Sequence, residues 1–266
     1  MSEELVFVKL GGSLITDKRR ESTVRAGTLR LLAEELHAAL KAKPDLHLLL
    51  GHGSGSFGHW EASRYNTRAG VRTPAEWRGF TQVSAAVLRL NRIVVDTFTR
   101  ADVPVLSLQP SASAVAEDGR LVSLALPPIQ RALDAGIIPL VFGDAVFDSV
   151  RGGTILSTED VFFYLTPLLH PARILLLGNA PGVLDDRRAV IPRITPGTYA
   201  QVEPFLRGAG GVDVTGGMAD KVAHMMALVQ AAPGLSVHIL TGIESGNLTR
   251  ALLDPENTAG THLRAD

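Results

Sequence analysis

The 266-residue chain contains no cysteine and no long apolar run. The absence of cysteine excludes disulfide bonds and thiolate metal sites. Because no apolar stretch reaches the roughly 18 residues that a membrane span requires, the sequence predicts no transmembrane helix and no membrane partner. The N-terminal segment MSEELVFVKL lacks a signal-peptide pattern. We therefore expect a cytoplasmic protein.

An excess of charge of one sign is also missing. The chain carries 26 Lys and Arg against 27 Asp and Glu, so its formal net charge is −1 at pH 7. This balance provides no electrostatic reason to expect a nucleic-acid partner or an anionic surface. The length is sufficient for one large domain with an ample core.

Glycine, in contrast, is abundant, and several glycines follow directly on short apolar runs. These runs alternate with helical patterns, of which the longest cover residues 25–43 and 74–100. The alternation predicts an α/β fold, a three-layer α/β/α sandwich with a mainly parallel central sheet. The apolar runs that end in glycine loops are residues 5–10, 46–50, 137–142 and 174–177, and the first glycines of their loops are Gly11, Gly51, Gly143 and Gly178.

The segment GHGSGSFGH at residues 51–59 is the densest of these loops. A strand that leads through a glycine turn into a helix directs backbone N–H groups toward an anion. A single loop of this kind is equally consistent with a tight turn that binds nothing. Ligands of parallel sheets bind beyond the carboxyl ends of the strands, so several such loops at one edge favour a phosphate site.

Four polar side chains lie next to these loops in the sequence. Lys9 ends the first strand, where it either extends past the sheet edge or needs a partner, because a buried unpaired ammonium is costly. Lys221 is in the first turn of a helix, where the positive end of the helix dipole disfavours a lysine. A bound anion or solvent must offset this repulsion. Asp160 either benefits from the dipole of its own helix or pairs with both lysines. His59 is either structural or donates to a phosphate oxygen. Phosphoryl transfer uses such a set of cations and backbone donors.

Segments spread over nearly the whole chain resemble motifs of the amino acid kinase superfamily, most closely its isopentenyl phosphate kinase branch. The ending Ser-Phe-Gly-His at residues 56–59 is the signal specific to that branch. The matching segments are residues 9–13, 16–18, 52–59, 143–148, 157–160 and 213–221.

The resemblance implies the amino acid kinase fold and ATP-dependent phosphorylation of isopentenyl phosphate to isopentenyl diphosphate. It implies ATP and Mg²⁺ as cofactors, with Mg²⁺ held by nucleotide phosphates and water rather than by protein ligands. It also suggests a homodimer. The single domain, residues 1–266, is expected to have an acceptor-binding lobe at about 1–172 and a nucleotide-binding lobe at about 173–266.

The resemblance also implies roles for the matching residues. Lys9 and Lys221 would stabilise the transferring phosphoryl group, Asp160 would organise these lysines, and His59 would hold the acceptor phosphate. The ATP site is expected to include Lys9, Gly11, Gly12, Ser13, Lys18, Gly182, Gly216 and Lys221, and the acceptor site Gly53, Ser54, Gly55, Gly58, His59 and Gly143. Backbone N–H groups of Gly11, Gly12, Gly53, Gly55 and Gly216 are the expected phosphate donors. The sequence departs from the family pattern at Ser54, which replaces a glycine, and at residues 179–183 of the nucleotide loop.

A five-carbon acceptor tail offers no hydrogen bonds, so its pocket must be apolar and close to His59. Phe80, Val83 and Val87 share one face of the helix over residues 74–100. Val146 and Ile155 flank a predicted hairpin near the same edge. We expect these residues to form the tail pocket, although each is also a plausible ordinary core residue.

Two other functions remain open from the sequence. One is a fosfomycin-kinase-like activity, or another small-molecule kinase activity of the same superfamily. The other is a nucleotide-binding sensor or storage protein without transfer chemistry. The retained pair of lysines argues against the second, because a protein that only binds needs no charges arranged around a transferring group.

Overall fold

The computed structural model describes residues 4–208 and 217–265. The strands are β1 Leu5–Leu10, β2 His47–His52, β3 Val105–Ser107, β4 Val115–Glu117, β5 Arg120–Ser123, β6 Ile138–Phe142, β7 Asp144–Asp148, β8 Gly152–Leu156, β9 Arg173–Gly178, β10 Arg193–Ile194, β11 Ser236–Thr241 and β12 Thr261–Arg264. The helices are α1 Gly12–Ile15, α2 Ala26–Ala42, α3 Gly55–Tyr65, α4 Pro74–Arg100, α5 Pro127–Asp134, α6 Thr158–Leu169, α7 Pro196–Gly208, α8 Gly217–Ala231 and α9 Asn247–Leu253. Short 3₁₀ turns span Thr67–Ala69, Pro110–Ala112 and Pro255–Asn257.

Eight strands form the central sheet, in the order β10-β12-β11-β9-β1-β2-β6-β3. The six neighbours from β11 to β3 run parallel. Strand β12 is antiparallel to β11 and pairs with β10 at the edge. The prediction of a mainly parallel sheet is confirmed.

The central strand β1 shows how the sequence divides its side chains between the two layers of helices. Successive strand residues point to opposite faces. Val6 and Val8 therefore pack into the core with α2, α4 and α9, whereas Phe7 packs into the core with α6 and α8. By the same alternation Lys9 points toward the side of α6 and α8. The two cores confirm the three-layer sandwich.

A second, four-stranded sheet has the order β5-β4-β7-β8, and its strand β7 follows directly on β6. Asp148 joins its two hairpins, because its carboxylate accepts the N–H groups of Asp118 and Gly119 on one side and of Val150 and Arg151 on the other. The predicted hairpin is formed by β7 and β8, whose residues are mostly buried, and these bonds tie it to the neighbouring strands. The hairpin brings Ile155 next to the edge of the large sheet where the glycine loops lie.

The central sheet is continuous across the lobe boundary predicted near residue 172. Strand β1 of the first part pairs directly with β9 of the second. The division into two lobes therefore stays a prediction. Among the described residues, none of the helices is both long enough and apolar enough to cross a membrane.

Candidate active site

Four neighbouring strands, β9, β1, β2 and β6, end at the same edge of the sheet. The loops that follow these strands line one cavity together with the starts of α6 and α8. We call it the charged cavity because Lys9, Lys18 and Lys221 line it beside Glu159 and Asp160. The structure thus brings together the glycine loops, both predicted catalytic lysines and the predicted acidic residue.

The loops after β1 and β2 pack backbone against backbone, and this close approach requires glycine. A Cβ added to Gly12 would lie 2.5 Å from the nitrogen of Gly55. Gly55 has φ of +50°, and a Cβ there would lie 2.2 Å from the Thr16 hydroxyl. That hydroxyl accepts the N–H of Ser56 and donates to the Gly12 carbonyl, so it joins the two loops.

Two of the predicted phosphate donors are already used within the fold. The N–H of Gly11 donates to the Leu177 carbonyl, and the N–H of Gly53 donates to the Leu10 carbonyl. The prediction that these two glycines supply donors is therefore wrong, although both line the charged cavity. The N–H groups of Gly12, Ser13 and Gly55 begin helices, where no preceding helical carbonyl can accept them, so these are the donors available to an anion.

Lys9 forms its ion pair with Glu159 and not with Asp160. Both groups of this pair are almost completely buried, so each needs the other. Burial raises the pKa of Glu159, but the charges of Lys9 and Lys221 and the hydrogen bond from Lys9 outweigh burial and hold this pKa below its usual value. Glu159 is consequently ionised at neutral pH and lies in the field of both lysines.

Asp160 instead closes the N-terminus of its own helix. Its carboxylate accepts the backbone N–H and the hydroxyl of Ser157, while its own N–H donates to the Ser157 hydroxyl, which completes a capping box. The prediction that Asp160 pairs with Lys9 is wrong, because the capping geometry turns its carboxylate back toward Ser157. Asp160 still lines the charged cavity.

His59 lies on α3 and lines both the charged cavity and a second one beside it. We call this second space the apolar cavity, since its walls include Ala62, Val83, Val87 and Ile155. Its volume is about 250 Å³. A cavity of about 150 Å³ holds the six carbons of benzene, so the apolar cavity has room for a five-carbon tail.

The five residues predicted for the tail pocket have different positions. Val83, Val87 and Ile155 line the apolar cavity. Phe80 is buried in the same apolar cluster, where its ring packs against Trp77. Val146 lies instead on the opposite face of β7, in a separate cluster with Leu156, so its prediction as a tail residue is wrong. The strand alternation that points Ala145 toward Val83 turns Val146 away.

Other predicted site residues are also located by the structure. Ser13, Lys18, Ser54 and Gly143 line the charged cavity, and Gly58 lines the apolar cavity. Gly182 packs against Thr261 of β12, and its contact with ATP stays a prediction. Gly216 lies outside the described residues.

Four acidic, basic or histidine residues of the charged cavity were missed by the sequence reasoning: Glu159, Arg68, Asp220 and His224. Glu159 adjoins the residue that was chosen, and the capping pattern Ser-x-x-Asp was the available signal that Asp160 was already engaged. His224 follows Lys221 by three residues, so both lie on one helix face. Arg68 belongs to no recognised motif and only the tertiary structure reveals it.

Behind the glycine loop, a series of hydrogen-bonded buried side chains holds the turn at Gly53 in place. The Nδ1–H of His52 donates to the Gly53 carbonyl at 3.1 Å, and its Nε2 accepts from the Asn91 amide at 3.1 Å. The Asn91 oxygen in turn accepts the Ser107 hydroxyl at 2.7 Å. Burial lowers the pKa of His52 to about 4, so the ring is neutral at pH 7 and keeps this arrangement.

The chain matches the model of the amino acid kinase family over residues 4–241. Among characterised proteins, it is 36% identical to the isopentenyl phosphate kinase of Haloferax volcanii over 225 residues, which cover 84% of this chain and 88% of that protein. It is 31% identical to the isopentenyl phosphate kinase of Methanocaldococcus jannaschii over 255 residues, which cover 94% of this chain and 95% of that protein.

The fold is similar to that of a solved structure described as an X-ray structure of isopentenyl phosphate kinase. The TM-score is 0.81 at 27% sequence identity, and the alignment covers 97% of this chain and 99% of that one. The similarity thus extends over nearly the whole length of both chains.

Proposed function

The chain belongs to the amino acid kinase family, and on that premise we propose that it transfers the γ-phosphoryl group of ATP to isopentenyl phosphate, forming isopentenyl diphosphate. The observation that carries this proposal is the junction of a charged cavity with an apolar one at His59. A monophosphate of a short hydrocarbon alcohol has the same division between a charged end and an apolar end.

In this reaction an oxygen of the acceptor phosphate attacks the γ-phosphorus, and the bond to the β,γ-bridging oxygen of ATP breaks. The transfer needs alignment of the two phosphates and neutralisation of charge on the transferring group. Lys9 and Lys221 supply that charge, both acting on Glu159, whose carboxylate holds Lys9 in place. Glu159 takes over the organising role that the resemblance assigned to Asp160.

His59 and the N–H of Gly55 bind the acceptor phosphate at the start of α3, and the hydrocarbon tail enters the apolar cavity beside Val83. Burial of the tail excludes water from the acceptor side, which limits the competing hydrolysis of ATP. The apolar wall also favours this acceptor over fosfomycin, a much more polar molecule.

ATP occupies the remaining part of the charged cavity, with Lys18 and the first N–H groups of α1 directed to its phosphates. Mg²⁺ carried by the nucleotide would reduce the negative charge that the two substrates bring together. The cavity residues fit an ion that is held mainly by the nucleotide, because both carboxylates at the start of α6 already have partners. Glu159 pairs with Lys9, and Asp160 caps its own helix. No cluster of three metal-ligating side chains occurs in the part of the chain that the structure describes.

The decisive experiment measures ADP release by the purified protein with ATP and Mg²⁺, in the presence and absence of isopentenyl phosphate. ADP release that requires isopentenyl phosphate supports the proposal. Release that requires fosfomycin supports the related kinase activity instead. ATP binding without release under any of these conditions supports a sensor or storage protein.

We also propose that the protein acts as a cytoplasmic homodimer with an acceptor lobe and a nucleotide lobe. These proposals rest on the family resemblance. Light scattering of the purified protein tests the dimer, and cell fractionation tests the compartment. Limited proteolysis near residue 172, with and without ATP, tests the division into lobes.

A further inference from the structure

The two cavities meet at a small set of residues that line both of them. Two members of this set can carry a positive charge, an imidazole and a guanidinium. The shared residues are Ser54, His59, Arg68, Gly143 and Ile155. Lys9, Lys18 and Lys221 line the charged cavity but not the apolar cavity. Arg68 thus lies with His59 at the boundary between charged and apolar surface.

The backbone around Arg68 is held in place by the hairpin of β7 and β8. The carbonyl of Arg68 accepts the Thr154 hydroxyl at 3.1 Å and a guanidinium N–H of Arg151 at 3.5 Å. The N–H of Val71 donates to the Arg151 carbonyl at 2.8 Å. These bonds hold the main chain at Arg68 and Val71 against the hairpin.

We infer that Arg68 binds the acceptor phosphate together with His59, an assignment that rests on the proposed function. The phosphate of an amphiphilic acceptor must lie where the charged cavity meets the apolar one, since its tail enters the apolar side. A guanidinium offers paired N–H donors that match two phosphate oxygens, and it stays charged at every physiological pH. Arg68 therefore selects acceptors that carry a phosphate next to a hydrocarbon tail.

If Arg68 binds the acceptor phosphate, its substitution should weaken binding of the acceptor and not binding of ATP. Loss of a charge-assisted hydrogen bond to the phosphate should raise the KM for isopentenyl phosphate about 10- to 100-fold in Arg68→Gln. The KM for ATP should stay within about twofold of the wild-type value, since the cations nearest the nucleotide are unchanged. Arg68→Lys keeps the charge but not the paired donors, so it should recover part of the loss.

Arg64→Gln is the matched control. Arg64 lies on the same helix as His59, is 60% exposed and is 3.6 Å from Glu61, so its substitution removes an arginine without changing the cavities. Thermal unfolding of all three variants checks that they fold. An acceptor KM unchanged in Arg68→Gln, or an equal rise in the KM values for acceptor and ATP, overturns the inference.

The same variants separate this inference from the proposed function. If the wild-type protein does not phosphorylate isopentenyl phosphate, the proposed function fails, and the role of Arg68 is then measured by calorimetric binding of isopentenyl phosphate. Weaker binding by Arg68→Gln than by wild type supports the inference even then. Equal binding by the two proteins, or no binding by wild type, overturns it.

Discussion

Two adjacent carboxylates of α6, Glu159 and Asp160, make different contacts although both lie at the start of one helix. Successive helical residues point about 100° apart, so only one of the two can face Lys9. Ser157 closes a capping box with Asp160, and this sets the rotation of the helix so that Glu159 enters the charged cavity. The position of the helix cap therefore determines which carboxylate pairs with Lys9.

Glu159→Gln should lower kcat on the order of 100-fold, because the neutral amide no longer holds Lys9 against the transferring group. The loss should appear in kcat more than in the KM for ATP, since the charge that matters develops during transfer. Asp160→Asn should cost less than tenfold, because the amide oxygen of asparagine can still accept the backbone N–H of Ser157. A larger loss in Asp160→Asn than in Glu159→Gln contradicts this assignment.

The coupling of Glu159 with Lys221 has a separate test. If the two residues act on the same phosphoryl group, the double variant Glu159→Gln/Lys221→Ala should lose much less activity than the product of the single losses. Steady-state kcat values of the four proteins measure this coupling. Fully multiplicative losses indicate that the carboxylate does not act through the lysines.

His59→Ala should lower kcat/KM for isopentenyl phosphate by a factor of about 30 to 1,000, equivalent to about 2–4 kcal/mol. The physical reason is the loss of a donor at the point where the acceptor phosphate must lie. His59 is on the cavity side of α3, so the far-ultraviolet circular dichroism spectrum should not change. An active His59→Ala variant with the kinetics of wild type means that this histidine is structural.

At the scale of elements, helix α4 and strand β7 together decide which residues contact the acceptor tail. Val83 and Val87 lie one turn apart on the face of α4 that closes the apolar cavity. Ala145 of β7 packs into the cluster that contains Val83, whereas Val146 packs on the opposite face of the same strand. The two valines at 83 and 146 are thus equally buried but differ in their access to the cavity.

Val83→Ala should shift the preference toward a ten-carbon monophosphate by about tenfold in relative kcat/KM, since removal of methyl groups deepens the cavity. Val146→Ala removes the same atoms from the other face and should leave this preference unchanged. Competition between the five-carbon and ten-carbon monophosphates measures the ratio in each variant. The same shift in both variants means that the tail lies elsewhere or that the effect is a general loosening of the core.

At the scale of the whole molecule, buried histidines make stability dependent on pH. Burial lowers the pKa of His52 to about 4. Burial, together with the charges of His262 and Arg173, lowers the pKa of His238 to about 3. Both values lie below the value near 6.5 of an unfolded histidine, so below that pH the unfolded chain binds more protons than the folded protein. Stability is therefore greatest above pH 6.5 and decreases as the pH falls.

Between pH 7.5 and pH 5, each of these histidines should reduce the free energy of unfolding by about 2 kcal/mol. Carboxylates add little in this range because their pKa values in the unfolded chain lie near 4. Urea unfolding at a series of pH values measures the slope. His238→Phe retains a buried ring without a titrating nitrogen and should remove about half of the dependence. A free energy of unfolding that is constant over this range contradicts the prediction.

The local sequence determined the strands, most of the helices and the loops at which a phosphate can bind. Runs such as residues 5–10 and 74–100 have a clear period, and a glycine after an apolar run marks the end of a strand. The structure confirms these elements within a few residues. Two elements were not predicted: β12, which has only four residues and includes His262 and Arg264, and α7, which contains Pro204.

Only the tertiary structure decided which side chains meet in the site. Glu159 and not Asp160 pairs with Lys9, Val146 faces away from the cavity that Val83 lines, and Arg68 reaches the junction from a turn without a motif. Each outcome depends on the rotation of a helix, the face of a strand or the anchoring of a turn by a distant hairpin. These are set by contacts between residues far apart in the chain, such as Thr154 with Arg68, which no local pattern encodes.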